Sequence, residues 1–129
     1  MPIEFDAKYV HVSKEAWGWL VTWSVDENLA AERYVMLQAA DKYSAEDARL
    51  GMDDIYIECC NQGWSWYGHI QAFKLSRTHI DVQLDHEAAG RMRSDGRFVV
   101  GFSIDDEAWG KLQRALEQVF AGRGYYSEA

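Results

Sequence analysis

The chain has few basic residues. Lys and Arg total 13 against 21 Asp and Glu, giving a formal charge of -8 and a pI near 4.9. That balance opposes binding to nucleic acid or to an anionic membrane and favours a cationic partner. No stretch approaches the roughly 20 uncharged apolar residues needed to span a bilayer. Met1 to Asp6 holds two acids and no basic residue, so no signal peptide is legible, and the expectation is a soluble cytoplasmic protein. Proline occurs once and cysteine twice, as the neighbours Cys59 and Cys60. Adjacent Cα atoms lie about 3.8 Å apart across a trans peptide, short of the usual disulfide separation of roughly 4.4 to 6.8 Å, so both thiols are expected to stay reduced. A strand would turn one thiol to the core and the other away, which makes a shared metal site awkward.

Chemical motifs are missing as well. The sequence has no glycine-rich phosphate loop, HExxH, paired CxxC, Walker lysine or GxSxG elbow. His11, His69, His79 and His86 are scattered without ligand spacing. Neither a catalytic residue, a metal nor a cofactor is expected.

What is present is large apolar side chains. Six Trp, seven Tyr and five Phe in 129 residues exclude disorder and suit one compact domain, 1–129, able to bury roughly two-thirds of its unfolded surface. Ile3, Phe5, Ala7 and Tyr9 alternate with Glu4, Asp6 and Lys8, predicting a first strand. Residues 17–25 alternate likewise, placing Trp17, Trp19, Val21, Trp23 and Val25 on one core-facing side and predicting a hairpin through a turn at Ser13 to Ala16. After a polar break at Asp26 to Asn28, Tyr34 to Gln38 reads as a strand, or as part of a helix beginning near Leu29. Ser44-Ala45-Glu46-Asp47 has the form of a capping box for a short helix ending at Gly51. Ile55 to Cys60 is the fourth strand, Asn61-Gln62-Gly63 a turn, and the residues from Trp64 to Ser76 the approach to and body of a fifth.

A tight turn at Arg77-Thr78 would pair Leu75 with Ile80, Phe73 with Val82 and Lys74 with Asp81 in a sixth strand, His79 to Leu84. Asp85 to Met92 reads as a short helix, and Phe98 to Ile104 as a seventh strand. Trp109, Leu112, Leu116, Val119 and Phe120 form one helical stripe that begins among Asp105, Asp106 and Glu107. The sum is an α+β domain: a mainly antiparallel sheet of six or seven strands with the terminal amphipathic helix packed on one face.

Two clusters stand out. Asp53, Asp54 and Glu58 gather at the start of one strand, as oxygen ligands, as an acid/base pair or as a solvated strand end. Trp64, Trp66 and Tyr67 place three aromatics in four residues beside a turn, either completing the core or forming an exposed patch.

Tyr34-Val35-Met36-Leu37-Gln38, followed by Asp47-x3-Gly51-Met52-Asp53 and by Tyr56-x-Glu58-x2-Asn61-Gln62-x2-Ser65-x-Tyr67-Gly68, resembles the immunity protein 10 family of bacterial polymorphic-toxin systems. The resemblance continues through Leu84 and Ala88 to the terminal helix, spanning roughly Ala30 to Phe120. It implies a non-enzymatic antidote that binds and neutralises a toxin encoded beside it. Trp17-Gly18-Trp19 and Trp64-Ser65-Trp66 fall outside that pattern.

The charge fits a basic toxin, such as a nuclease adapted to an anionic substrate. Within that expectation Asp53, Asp54 and Glu58 steer the encounter, while Trp64, Trp66 and Tyr67 anchor the complex. The competing expectation is a small-molecule or carbohydrate site in which tryptophans stack on a ligand beside Asn61 and Gln62. Concavity discriminates: an aromatic pocket favours a ligand, and a flat acidic patch favours a protein. An exposed sheet edge leaves room for a dimer, and the sequence places no constraint on Tyr125-Tyr126.

Overall fold

The computed structural model describes residues 2–27, 33–61 and 63–129. Asn28, the helix start near Leu29 and Gln62 of the anticipated turn lie outside them. Strands β1 (Ile3–Asp6), β2 (Tyr9–Lys14), β3 (Gly18–Ser24) and β4 (Tyr34–Ala40) lead to helix α1 (Ala45–Arg49). Strands β5 (Tyr56–Cys59), β6 (Ser65–Tyr67), β7 (Ile70–Leu75) and β8 (His79–Leu84) precede α2 (His86–Met92). The chain closes with β9 (Arg97–Gly101), α3 (Asp106–Val119) and β10 (Tyr126–Glu128). The class is α+β, as expected, but the strands divide into two five-stranded sheets instead of one sheet of six or seven.

The first sheet runs β1-β9-β8-β7-β10 and the second β2-β3-β4-β5-β6. All pairs in the second are antiparallel. In the first, β1 on β9 and β10 on β7 are parallel edge additions. The chain changes sheet where the alternation alone reads as continuous strand. Ala7 N–H donates to Gly101 O of the first sheet at 2.8 Å, and the next amide, Lys8, donates to Ser24 O of the second at 2.9 Å. The same happens at Gly68 and His69, with φ of 81° and 66°. Gly68 N–H reaches back to Ile55 O at 2.7 Å, while His69 O accepts from Asp85 at 2.8 Å. Thus the anticipated first strand splits into β1 and β2, and the fifth into β6 and β7. At the first crossover the inward phase shifts by one residue, from Phe5 and Ala7 to Val10 and Val12, which turns Tyr9 outward instead of to the core as the alternation predicts. At the second, Trp66, Gly68 and Ile70 stay in phase and the period of two does not register the change of sheet.

The inner faces meet in one core. Val21, Trp23, Val35, Leu37, Ile57, Cys59 and Trp66 come from the second sheet, and Phe73, Leu75, Ile80, Val82, Leu84, Phe98 and Val100 from the first. Trp23 and Phe73 touch across the layers with ring centroids 6.2 Å apart. Each such side chain removed from water contributes about 1.5–3 kcal/mol. Helix α3 lies against β2 and β3 and contributes Leu112, Ala115, Leu116 and Val119, followed by Phe120. Phe120 sits 4.7 Å from Phe73. The α3 start is held by Asp105, whose carboxylate accepts from Ala108 N–H at 2.8 Å.

The β7–β8 register is the one expected, with Leu75 opposite Ile80, Phe73 opposite Val82 and Lys74 opposite Asp81. Asp81 nevertheless bonds Arg97 of β9, at 2.7 and 3.0 Å, because a guanidinium meets a carboxylate with two donors. The Ser44–Asp47 capping box is present in full. Among the described residues no helix is long and apolar enough to cross a membrane.

Candidate functional site

The pleat separates the anticipated site residues. On β5 and β6, Ile57, Cys59 and Trp66 point to the core, while Tyr56, Glu58, Ser65 and Tyr67 share the outer face of the second sheet. Trp66 is only 6% exposed, and the Arg91 guanidinium of α2 stands over its ring at 5.9 Å. Trp64 is half-buried against the same core. Of the two readings left open for these tryptophans, completion of the core is the one the structure gives. Tyr67 alone of the three is an exposed aromatic, 37% accessible, with its ring 5.2 Å from that of Tyr56.

The acids separate in the same way. Asp53 is exposed. Asp54 is half-buried; its Oδ1 accepts from its neighbour Ile55 N–H at 2.7 Å and from Arg123 Nη1 at 3.0 Å. Glu58 is 6% exposed and accepts hydrogen bonds from the hydroxyls of Tyr34 and Tyr56. Burial, reinforced by the Glu58 carboxylate, raises the pKa of both phenols. Glu58 therefore organises the outer face from within, and the three acids do not converge on one point. Among the described residues no group of three or more His, Cys, Asp or Glu side chains forms a metal-ligand set.

Cys59 and Cys60 are both free, as expected. The strand does not carry their thiols to opposite sides, because Cys60 adopts φ 65° where β5 ends. Their sulfurs lie 3.5 Å apart, and the Cys59 thiol donates to Cys60. That bond lowers the Cys60 pKa and raises that of Cys59.

The outer face forms a hollow that the two clusters do not reveal by themselves. Trp17, Gln38, Ala40, Tyr43, Asp47, Met52, Asp54, Tyr56 and Tyr67 line a space of about 150 Å³. The segment from Asp41 to Asp54 crosses one side, pinned by Tyr43, whose hydroxyl donates to Asp54 O at 3.2 Å and accepts from Ala40 N–H at 3.3 Å. Gly68 closes the β6 side: a Cβ there would stand 2.7 Å from Asp54 Oδ2.

Trp17 reaches the hollow because Gly18 interrupts the alternation. Gly18 has φ 156°, and a Cβ on it would lie 2.1 Å from Ala39 O. Trp17 is consequently 46% exposed, whereas alternation assigned it to the core with Trp19 and Trp23. The sequence signal was the glycine between two tryptophans at a turn. Tyr43 and Met52 carried no comparable signal. Exposed aromatics gather on this face: of the four large apolar side chains prominently exposed among the described residues, Tyr9, Trp17, Leu50 and Tyr67, Tyr9 and Tyr67 stand on the outer face and Trp17 lines its hollow.

A family model described as Immunity protein 10 matches residues 6–110. The chain belongs to the Immunity protein 10 family. No curated protein and no solved structure matches it. The stretch matched to Immunity protein 10 contains every residue lining the hollow and ends before Arg123, the cation on Asp54.

Proposed function

We propose that the chain is a non-enzymatic immunity protein that acts in the cytoplasm by binding and neutralising a cognate bacterial toxin through the outer face of its second sheet. Family membership over residues 6–110 carries the reading. The location is supported by Tyr67 and Trp17, both exposed on that side of a chain with net charge -8, since aromatic anchors concentrate binding energy and an excess of one charge accelerates encounter with its opposite. The partner is a basic protein, and a nuclease suits that charge. Asp53 and Asp54 steer the encounter and Tyr67 anchors the complex. Glu58, Trp64 and Trp66 support the face from beneath.

A small-molecule site at this aromatic face is less well supported. Ligand pockets span roughly 300–1,000 Å³, while the hollow offers about 150 Å³, space for one inserted side chain. Co-expression with the protein encoded beside this chain tests the proposal. The expected result is toxicity of that protein alone, relieved by this chain in a complex that co-purifies. A harmless neighbour that does not bind would refute it.

A further inference from the structure

We propose that the hollow bounded by Trp17, Tyr43, Tyr56, Tyr67, Asp47 and Asp54 is a receptor for one cationic side chain, arginine or lysine, of the neutralised toxin. This rests on the function proposed above and names the chemistry of its contact.

The molecule supplies its own template. Arg77 lies over the Trp109 ring at 5.2 Å while its guanidinium bonds Asp106 at 3.1 Å. Lys14 lies over Trp19 at 5.6 Å and bonds Asp41 at 2.6 Å. In both places an indole face and a carboxylate share one cation. Trp17 lines one hollow with two carboxylates, Asp47 and the Arg123-bound Asp54, yet among the described residues no cation stands over its ring. It is also the most exposed tryptophan of the chain's described residues.

Capacity and charge agree with an incoming cation. No basic side chain lines the hollow. Asp47 Oδ2 accepts from Ser44 N–H at 2.9 Å, and a carboxylate with about four acceptor sites keeps room for another donor. Asp54 already holds the Arg123 guanidinium at 3.0 Å, which fixes that carboxylate at the wall. The Tyr56 hydroxyl donates to Glu58, which orients its ring beside Tyr67. A cation entering the hollow meets ring faces and carboxylates along one wall, and cation–π attraction grows as the bound partner excludes water from it.

The test is a set of double-mutant cycles on the complex with the neighbouring gene's product. On this chain the changes are Trp17→Ala and Trp17→Phe; on the partner each arginine and lysine is changed singly to Gln. Trp17 is exposed at a turn, and circular dichroism checks that both variants fold. Trp17→Ala is expected to weaken binding at least tenfold, while Trp17→Phe keeps most of the affinity. One partner cation should show a matching loss that vanishes in the Trp17→Ala background. A complex that forms normally but in which no partner cation couples to Trp17 overturns this inference and leaves the proposed function standing. Absence of any complex overturns both.

Discussion

Adjacent residues of β6 make opposite demands on the protein. Trp66 is 6% exposed and faces the core, whereas Tyr67 is 37% exposed and faces outward. Trp66→Ala leaves a cavity among well-packed side chains and should cost about 3–5 kcal/mol, a large part of the roughly 5–15 kcal/mol that holds a domain together. At a few degrees per kcal/mol for a chain of this size, the melting temperature should fall by about 10–20 °C. Tyr67→Ala loses mainly its ring contact with Tyr56 at 5.2 Å, worth about 0.5–1.5 kcal/mol, so its melting temperature should drop only a few degrees. The order reverses for binding. Tyr67→Ala should weaken the toxin complex by about 2 kcal/mol or more, near 30-fold, while Trp66→Ala, measured well below its own melting point, should retain most affinity. Calorimetry of each variant alone and of each complex reads all four quantities. Equal losses of stability would refute the assignment of these neighbours to opposite faces, and a Tyr67→Ala variant that binds like the parent would refute Tyr67 as an anchor.

Glu58→Gln replaces a buried acceptor of two phenol hydroxyls with a group having one acceptor oxygen, and a loss of about 1–3 kcal/mol in denaturant titration is expected; an unchanged midpoint would contradict the network. Gly18→Ala drives a methyl into Ala39 O and should cost about 1–3 kcal/mol or more, together with a change in near-ultraviolet dichroism as Trp17 shifts. Burial raises the phenol pKa of Tyr34, Tyr43, Tyr56, Tyr125 and Tyr126. A raised folded-state value contributes stability that is complete below about pH 10 and is lost as pH climbs toward the folded values. Unfolding free energy measured from pH 8 upward should therefore hold and then fall, with Tyr34→Phe lowering the slope by about one proton; a flat profile to pH 11.5 would count against it.

Much of this was legible in the chain because it is decided between near neighbours. The capping box of α1, the register of β7 on β8 and the apolar stripe of α3 depend on residues a few positions apart, whose spacing matches helix or strand geometry directly. So did the acidic charge, and the spaced residues that resemble the family. The distribution of strands over two sheets was not legible. At residues 7–8 and 68–69 consecutive backbone groups change partners from one sheet to the other, and partner choice is a long-range matter. β10 was missed for the same reason: three residues pair in parallel with β7, some fifty positions earlier, and so short a strand carries no period of its own.

The candidate site divides along that line. Sequence alone marked Asp54 and Tyr67 as polar and aromatic groups worth attention, because residue type is local. Only the tertiary structure decided that Tyr67 faces out and Trp66 in, that Glu58 is enclosed by two tyrosines, and that Trp17 joins them across the sheet. A hollow is made by residues from the β2–β3 turn, β4, the α1 segment, β5 and β6. Its shape exists only once the sheet has brought those segments to a common face.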